Sequence, residues 1–173
     1  MKTIGLLGGM SWESTDLYYQ QINKMVQMKL GKLHSAKVVL ISVDFAEIEE
    51  LQHKGLWDEA GLYLKDKAIQ LEKGGADGIV LCTNTMHKVA SYIENSTTIP
   101  FIHIADATAT EILSQNIKKI GLLGTAFTME QDFYKNRLEE KGLEVITPNE
   151  TNRKVVHDII YNELCLGVIN EES

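Results

Sequence analysis

Chemistry concentrates in one short stretch of the chain, Cys82-Thr83-Asn84-Thr85-Met86-His87. A thiolate is a nucleophile or a base, and a helix beginning beside a thiol lowers its pKa and favours that form. Asn84 and Thr85 are costly to bury without hydrogen-bond partners, which suits them to holding an anionic group. His87 falls in the first turn of the helix expected to follow. A free cysteine at a strand end also fits plain packing, as a small apolar residue. The neighbours make Cys82 the first candidate for proton transfer or nucleophilic chemistry, with Thr83 beside it.

Such a cluster needs a scaffold, and the hydrophobic pattern describes one. Ile4–Leu7 is a short apolar run closed by Gly8-Gly9, which predicts a buried strand ending in a tight turn. Ser11 or Ser14 then caps a helix through about Leu30, with Glu13 favourable in its first turn. Lys37–Val43 is a β-branched second strand. Helices are expected at Phe45–Gln52 and Asp58–Lys73, the second stopped by Gly74-Gly75. Gly78–Leu81 is the third strand, placing Cys82 through Thr85 at its carboxyl end. A helix from about Met86 to Glu94, a strand over Pro100–Ile104 and a helix over Asp106–Gln115 follow. Next come a strand at Ile120–Leu123, a helix at Met129–Lys141, a strand at Leu143–Thr147 and a helix at Arg153–Leu166. Strands alternating with helices imply an α/β fold with a parallel sheet covered on both faces.

In open α/β sheets, ligands collect at the carboxyl ends of strands, beside helix N-termini. Gly8-Gly9-Met10-Ser11, Cys82-Thr83-Asn84-Thr85 and Gly124-Thr125-Ala126-Phe127-Thr128 all fall there. Their amides and hydroxyls suit a carboxylate or phosphate. Gly5-x-x-Gly8-Gly9 misses the dinucleotide spacing, and no Lys-Ser or Lys-Thr follows to make a phosphate loop.

Lys2-Thr-Ile-Gly-Leu-Leu-Gly8 returns as Lys118-Lys-Ile-Gly-Leu-Leu-Gly124, and Asp16 and Tyr18 return as Asp132 and Tyr134, all at an offset of 116 residues. So long a spacing points to two copies of an α/β half rather than a solenoid. Two pseudo-symmetric domains are expected, at 1–104 and 105–173, the second incomplete with only two strands. The same offset puts a counterpart of Cys82 near position 198, past Ser173.

The combination resembles the cysteine-dependent aspartate/glutamate racemase family, in its amino-acid and aspartate racemase branch. Cys82-Thr-Asn84-Thr85-Met-His87 is similar to its first signature. Gly5-Leu-Leu-Gly-Gly-Met-Ser-Trp-Glu-Ser14 is similar to its opening, and Gly124-Thr125 with Thr128 and the helix ending at Gly167 fit the same branch. The resemblance spans residues 1–173. It implies two α/β domains with an amino acid bound between them, and racemisation without pyridoxal phosphate, metal or any other cofactor. Inversion at an α-carbon needs a base on one face and an acid on the other, and two thiols of matched pKa can exchange those roles. By the resemblance Cys82 supplies the first-domain acid/base. Gly9, Met10, Asn84, Thr85, Thr125 and Thr128 bind substrate, and His87 supports them.

Two departures stand out. Many family members have Cys followed directly by Asn, whereas Thr83 intervenes here. Neighbouring side chains in a strand point to opposite faces, so Cys82 and Thr83 cannot both face the substrate unless the chain turns there. With Thr83 in that place the base is weaker and racemisation is slow or one-sided. The second departure is the absence of a Gly-Cys-Thr strand end within 173 residues. Cys165 does not replace it, since it is expected mid-helix between Leu164 and Leu166 as a packing residue. Rival readings are an isomerase or decarboxylase of small dicarboxylic acids on the same fold, and a non-catalytic fragment or binding module.

The remaining signals bound the class. The net charge of −7 argues against nucleic acid or an anionic membrane as main partner. Two cysteines suit a reducing compartment. Ile4–Met10 is too short to span a membrane and lacks a signal peptide's leader, so the cytoplasm is the expected location, with a homodimer the expected assembly. His34, His53 and His157 show no metal-ligand spacing. His103 is expected as a hydrogen-bonded strand residue, and Asp44, at the carboxyl end of the second strand, either lines the cleft or caps a helix. The only arginines, Arg137 and Arg153, lie in the second half. Arginine is the usual fork for a substrate's side-chain carboxylate.

Overall fold

A computed structural model describes residues 1–173. The chain divides into two compact units, Met1–Ile102 and His103–Ser173.

The first unit is a four-stranded parallel sheet in the order β2-β1-β3-β4. Its strands are β1 (Thr3–Gly8), β2 (Lys37–Ser42), β3 (Gly78–Leu81) and β4 (Phe101–Ile102). β1 lies inside, pairing with β2 from Thr3↔Lys37 to Gly8↔Ser42 and with β3 from Ile4↔Gly78 to Leu7↔Leu81. All four strands therefore end on one side, and the β1 and β3 ends stand next to each other. The helices are α1 (Trp12–Leu30), α2 (Phe45–His53), α3 (Trp57–Lys73) and the single turn α4 (Ala90–Glu94). α3 holds the core: Ala60, Leu64, Ala68 and Leu71, spaced as one helix face, are fully buried with Leu7, Ile79 and Leu81. Truncating a leucine in such a cluster costs about 2–5 kcal/mol.

The second unit begins with α5 (Ile104–Ser114). β5 (Lys119–Gly121), α6 (Ala126–Glu130), α7 (Asp132–Glu140), β6 (Glu144–Ile146) and α8 (Glu150–Asn162) follow. β5 and β6 pair in parallel as a two-stranded sheet. Its core gathers Ala105, Ala109, Leu122, Tyr134, Leu138, Leu143 and Val145. The repeated heptapeptide forms a strand in both units, but neighbours decide its burial. Leu7, in a strand paired on both sides, is fully buried, whereas Leu123 is 65% exposed.

Several expected elements differ. The helix expected over 86–94 is a 3₁₀ turn, Thr85–Val89, followed by α4. The strand over 100–104 is only Phe101–Ile102, because His103 caps α5 by accepting the Ala105 amide. The helix over 129–141 is two, broken at Gln131, whose backbone is extended and serves as cap to α7. Cys165 is likewise not mid-helix: it lies in the 3₁₀ turn Leu164–Leu166 after α8. Asp44 does cap α2, accepting the Ala46 amide. No helix is long and apolar enough to cross a membrane.

Candidate active site

The chain bends immediately after Leu81, and that bend decides which of two adjacent residues meets solvent. The Cys82 amide donates to the Leu7 carbonyl at 2.9 Å, one step beyond the ladder between β1 and β3. The Cys82 side chain is fully buried, with its sulfur 4.0 Å from the Val80 carbonyl oxygen. Burial pushes its pKa up to about 12. The expectation of a thiol activated by a helix start is thus reversed: desolvation of the thiolate dominates, and only a five-residue 3₁₀ turn follows. Thr83 is half-buried and Asn84 exposed. Of the two candidate acid/base residues, Thr83 is the one solvent reaches.

The backbone around Thr83 is held from two sides. His87, nearly fully buried, donates its Nδ1 proton to the Thr83 carbonyl at 2.7 Å, and its ring lies 5.6 Å from that of Phe101. From β1's side, the Ser14 hydroxyl donates to the Cys82 carbonyl at 3.2 Å, joining the first turn of α1 to the end of β3. Asn84 opens the 3₁₀ turn without a side-chain capping bond. Thr85 and Met86 are buried. Beneath the turn the buried Gln52 Nε2 donates to the Met86 sulfur at 3.0 Å. Lys88, next in the turn, sits 3.9 Å over the Trp57 ring.

The glycine turn after β1 does other work than expected. Gly9 has φ +91, and a Cβ there would lie 2.2 Å from the Val43 carbonyl oxygen, so only glycine fits. Its amide donates to Thr15 Oγ1 at 2.9 Å, and the Thr15 hydroxyl donates in turn to the Ser11 carbonyl at 3.0 Å. The Gly9 amide is therefore satisfied within the protein rather than presented as a free donor. Met10 packs its side chain into the core, leaving only its main chain for a ligand. The Met10–Ser11 peptide is cis. Ser11 precedes α1 without a side-chain capping bond.

In the second unit, Thr125 caps α6. Its Oγ1 accepts the Thr128 amide at 3.3 Å and lies 3.3 Å from the Thr128 hydroxyl. Thr128 is 2% exposed, so its side chain completes the turn from inside while half-buried Thr125 forms the outer edge. The Ala126 amide donates to His157 Nδ1 at 3.1 Å, a partner 31 residues away that no local pattern announces. Both arginines are committed. Arg137 donates to both carboxylate oxygens of Asp106, at 3.1 and 2.7 Å, and Arg153 donates to Glu130 and to the Pro148 carbonyl, each at 2.8 Å.

The family model described as Asp/Glu/hydantoin racemase matches residues 7–172. The chain belongs to that family. Among curated relatives, the broad specificity amino-acid racemase RacX of Bacillus subtilis is 30% identical over 148 residues, which are 83% of this chain and 63% of that protein. The chain thus spans less than two thirds of that racemase's length. Among solved structures, a proposed Asp/Glu racemase from Yersinia pestis is 60% identical with a TM-score of 0.90, covering 99% of this chain and 75% of that one. An aspartate racemase homologue from Pyrococcus horikoshii OT3 is 37% identical with a TM-score of 0.83, covering 97% and 74%. The racemase fold read from the repeated heptapeptide and the Cys82–His87 stretch is therefore the fold of this chain.

Proposed function

We propose that the protein racemises an amino acid by proton transfer at the α-carbon, without a cofactor, and that Thr83 is its acid/base in the first unit. The observation that carries this is the contrast between neighbours at the end of β3: Thr83 half-exposed, Cys82 fully buried with its pKa near 12. Cys82 is assigned to packing.

Asn84 and Thr125 are proposed as substrate-binding donors. Thr83 rests in its neutral, protonated form, which is the form needed of the acid. The partner acid/base is proposed near position 198 in the intact protein, where the 116-residue offset of the repeat puts it. A hydroxyl paired with a thiol makes the two directions chemically unequal. Because L and D enantiomers have equal free energy, kcat/KM must still be the same both ways. The one-sidedness therefore appears only in kcat and KM taken separately.

The name of the Bacillus subtilis relative supports a broad choice of amino acid. So does the pairing of Arg137 and Arg153 with the protein's own carboxylates, which leaves neither as a clamp for a substrate side chain. The homodimer expected from the family is part of the proposal, and sedimentation velocity tests it. The function itself is tested by incubating the intact protein with L-aspartate, L-glutamate or L-lysine in deuterated water. Loss of optical activity with deuterium entering at the α-carbon is expected. Racemisation that retains the original α-hydrogen defeats the proposal.

A further inference from the structure

α8 contributes no buried residue to the second unit, yet one of its faces is spent almost entirely on the short helix that follows Thr125. Arg153, His157 and Tyr161 recur every four residues, which places them in one row along a helix. Arg153 Nε binds Glu130, the last residue of α6, at 2.8 Å. One turn on, His157 accepts the amide of Ala126, the first residue of α6, at 3.1 Å. Its ring meets Phe127 edge-on at 6.1 Å, and the Tyr161 ring lies 4.7 Å from it. The row grips α6 at both ends. A backbone N–H can only donate, so His157 Nδ1 carries no proton in this contact and the proton is on Nε2.

We propose that His157 is a positioning residue: it fixes the Gly124–Thr128 turn by holding the Ala126 amide, and through that turn it sets the orientation of the Thr125 hydroxyl toward substrate. This rests on the assignment of Thr125 to substrate binding made above. The local wiring supports it. Thr125 Oγ1 accepts from the Thr128 amide, and its carbonyl accepts from the amides of Thr128 and Met129, so Thr125 moves with α6 as a body. The first amide of that body, adjacent to Thr125, is held by a side chain from another helix. A five-residue helix has little intrinsic stability, and its angle is set by such outside contacts. The imidazole also occupies a helix-start amide that a substrate anion would otherwise bind.

The test compares two variants in the intact protein. His157→Phe keeps a ring against Phe127 and Tyr161 but removes the acceptor. His157→Asn removes the ring but returns an oxygen near the position of Nδ1. Hydrogen exchange at the Ala126 amide is expected to speed up about tenfold or more in His157→Phe, the size expected for one lost buried hydrogen bond, and to recover in His157→Asn. With L-aspartate, L-glutamate or L-lysine as substrate, KM is expected to rise about tenfold in His157→Phe with kcat nearly unchanged, and to return in His157→Asn. Unchanged exchange at Ala126, or an unchanged KM in a folded His157→Phe protein, overturns the proposal. So does equal loss in both variants, which marks a merely structural residue. If the intact protein turns over none of these amino acids, the functional reading has failed on its own. Exchange at Ala126 then still decides the His157 contact, upholding it if faster and restored, overturning it if equal.

Discussion

The Ser14 hydroxyl donates to the carbonyl oxygen of Cys82 at 3.2 Å. That bond joins the first turn of α1 to the last step of β3, 68 residues away along the chain. Together with the His87 bond to the Thr83 carbonyl, it pins the peptides on both sides of Thr83. Cys82 serves here through its backbone, with its amide on β1 and its carbonyl on Ser14. The side chain that solvent reaches belongs to the next residue, half-buried Thr83.

Thr15 is the support of the first glycine turn. Its hydroxyl accepts from Gly9 and donates to Ser11, and both bonds are buried. Replacing it by Val keeps the shape and orphans the Gly9 amide. A loss of about 1–3 kcal/mol is expected, read as a lower urea midpoint at unchanged slope.

Cys82 should behave as a buried thiol in two ways. A disulfide reagent at neutral pH is expected to titrate Cys165, which is partly exposed, while Cys82 waits for denaturant. Stability should also fall at high pH. The unfolded thiol ionises near its ordinary 9 and the folded one near 12. Between those values only the unfolded chain releases its proton, so stability is fully present below 9 and declines as pH rises toward 12. Urea titrations at about pH 8 and about pH 10.5 should show a smaller decline in Cys82→Ala than in the native protein.

His103 should limit stability on the acid side. It caps α5 by accepting the Ala105 amide at 3.2 Å, and burial, helped by the Arg137 charge, lowers its pKa to about 4 from the ordinary 6.5. As pH falls from 6.5 to 4, the unfolded chain takes up a proton that the folded one refuses, and stability drops. His103→Asn retains a capping oxygen without the titration. Thermal melts from pH 7 to about pH 4 should show a shallower fall in the variant.

Much of this arrangement is legible in the residues. Gly78–Leu81 reads as a strand because a β-branched run closes on a polar cluster, and it is one, with the same limits. The repeated Ile-Gly-Leu-Leu-Gly marks two strand ends, and both have a glycine turn after them. What escapes the sequence is long-range or falls at a bend. Alternation along β3 stops at Leu81, so it does not say whether Cys82 or Thr83 emerges. Gln131 breaks a helix without glycine or proline, since its extended backbone serves to restart the chain at Asp132. The Gly9 amide looks free locally, and only folding brings Thr15 onto it. The partner of His157 is a backbone amide in another helix, 31 residues away, which no local pattern announces.

The most direct test of the central claim separates the two neighbours at the end of β3. Cys82→Ala and Thr83→Ala variants of the intact protein are incubated with L-aspartate in deuterated water, and deuterium at the α-carbon is followed by NMR. Exchange is expected to fall by about two to four orders of magnitude in Thr83→Ala, the usual contribution of a positioned acid/base, and to stay within a few-fold of native in Cys82→Ala. The opposite pattern, exchange lost with Cys82 and kept without Thr83, would contradict the account.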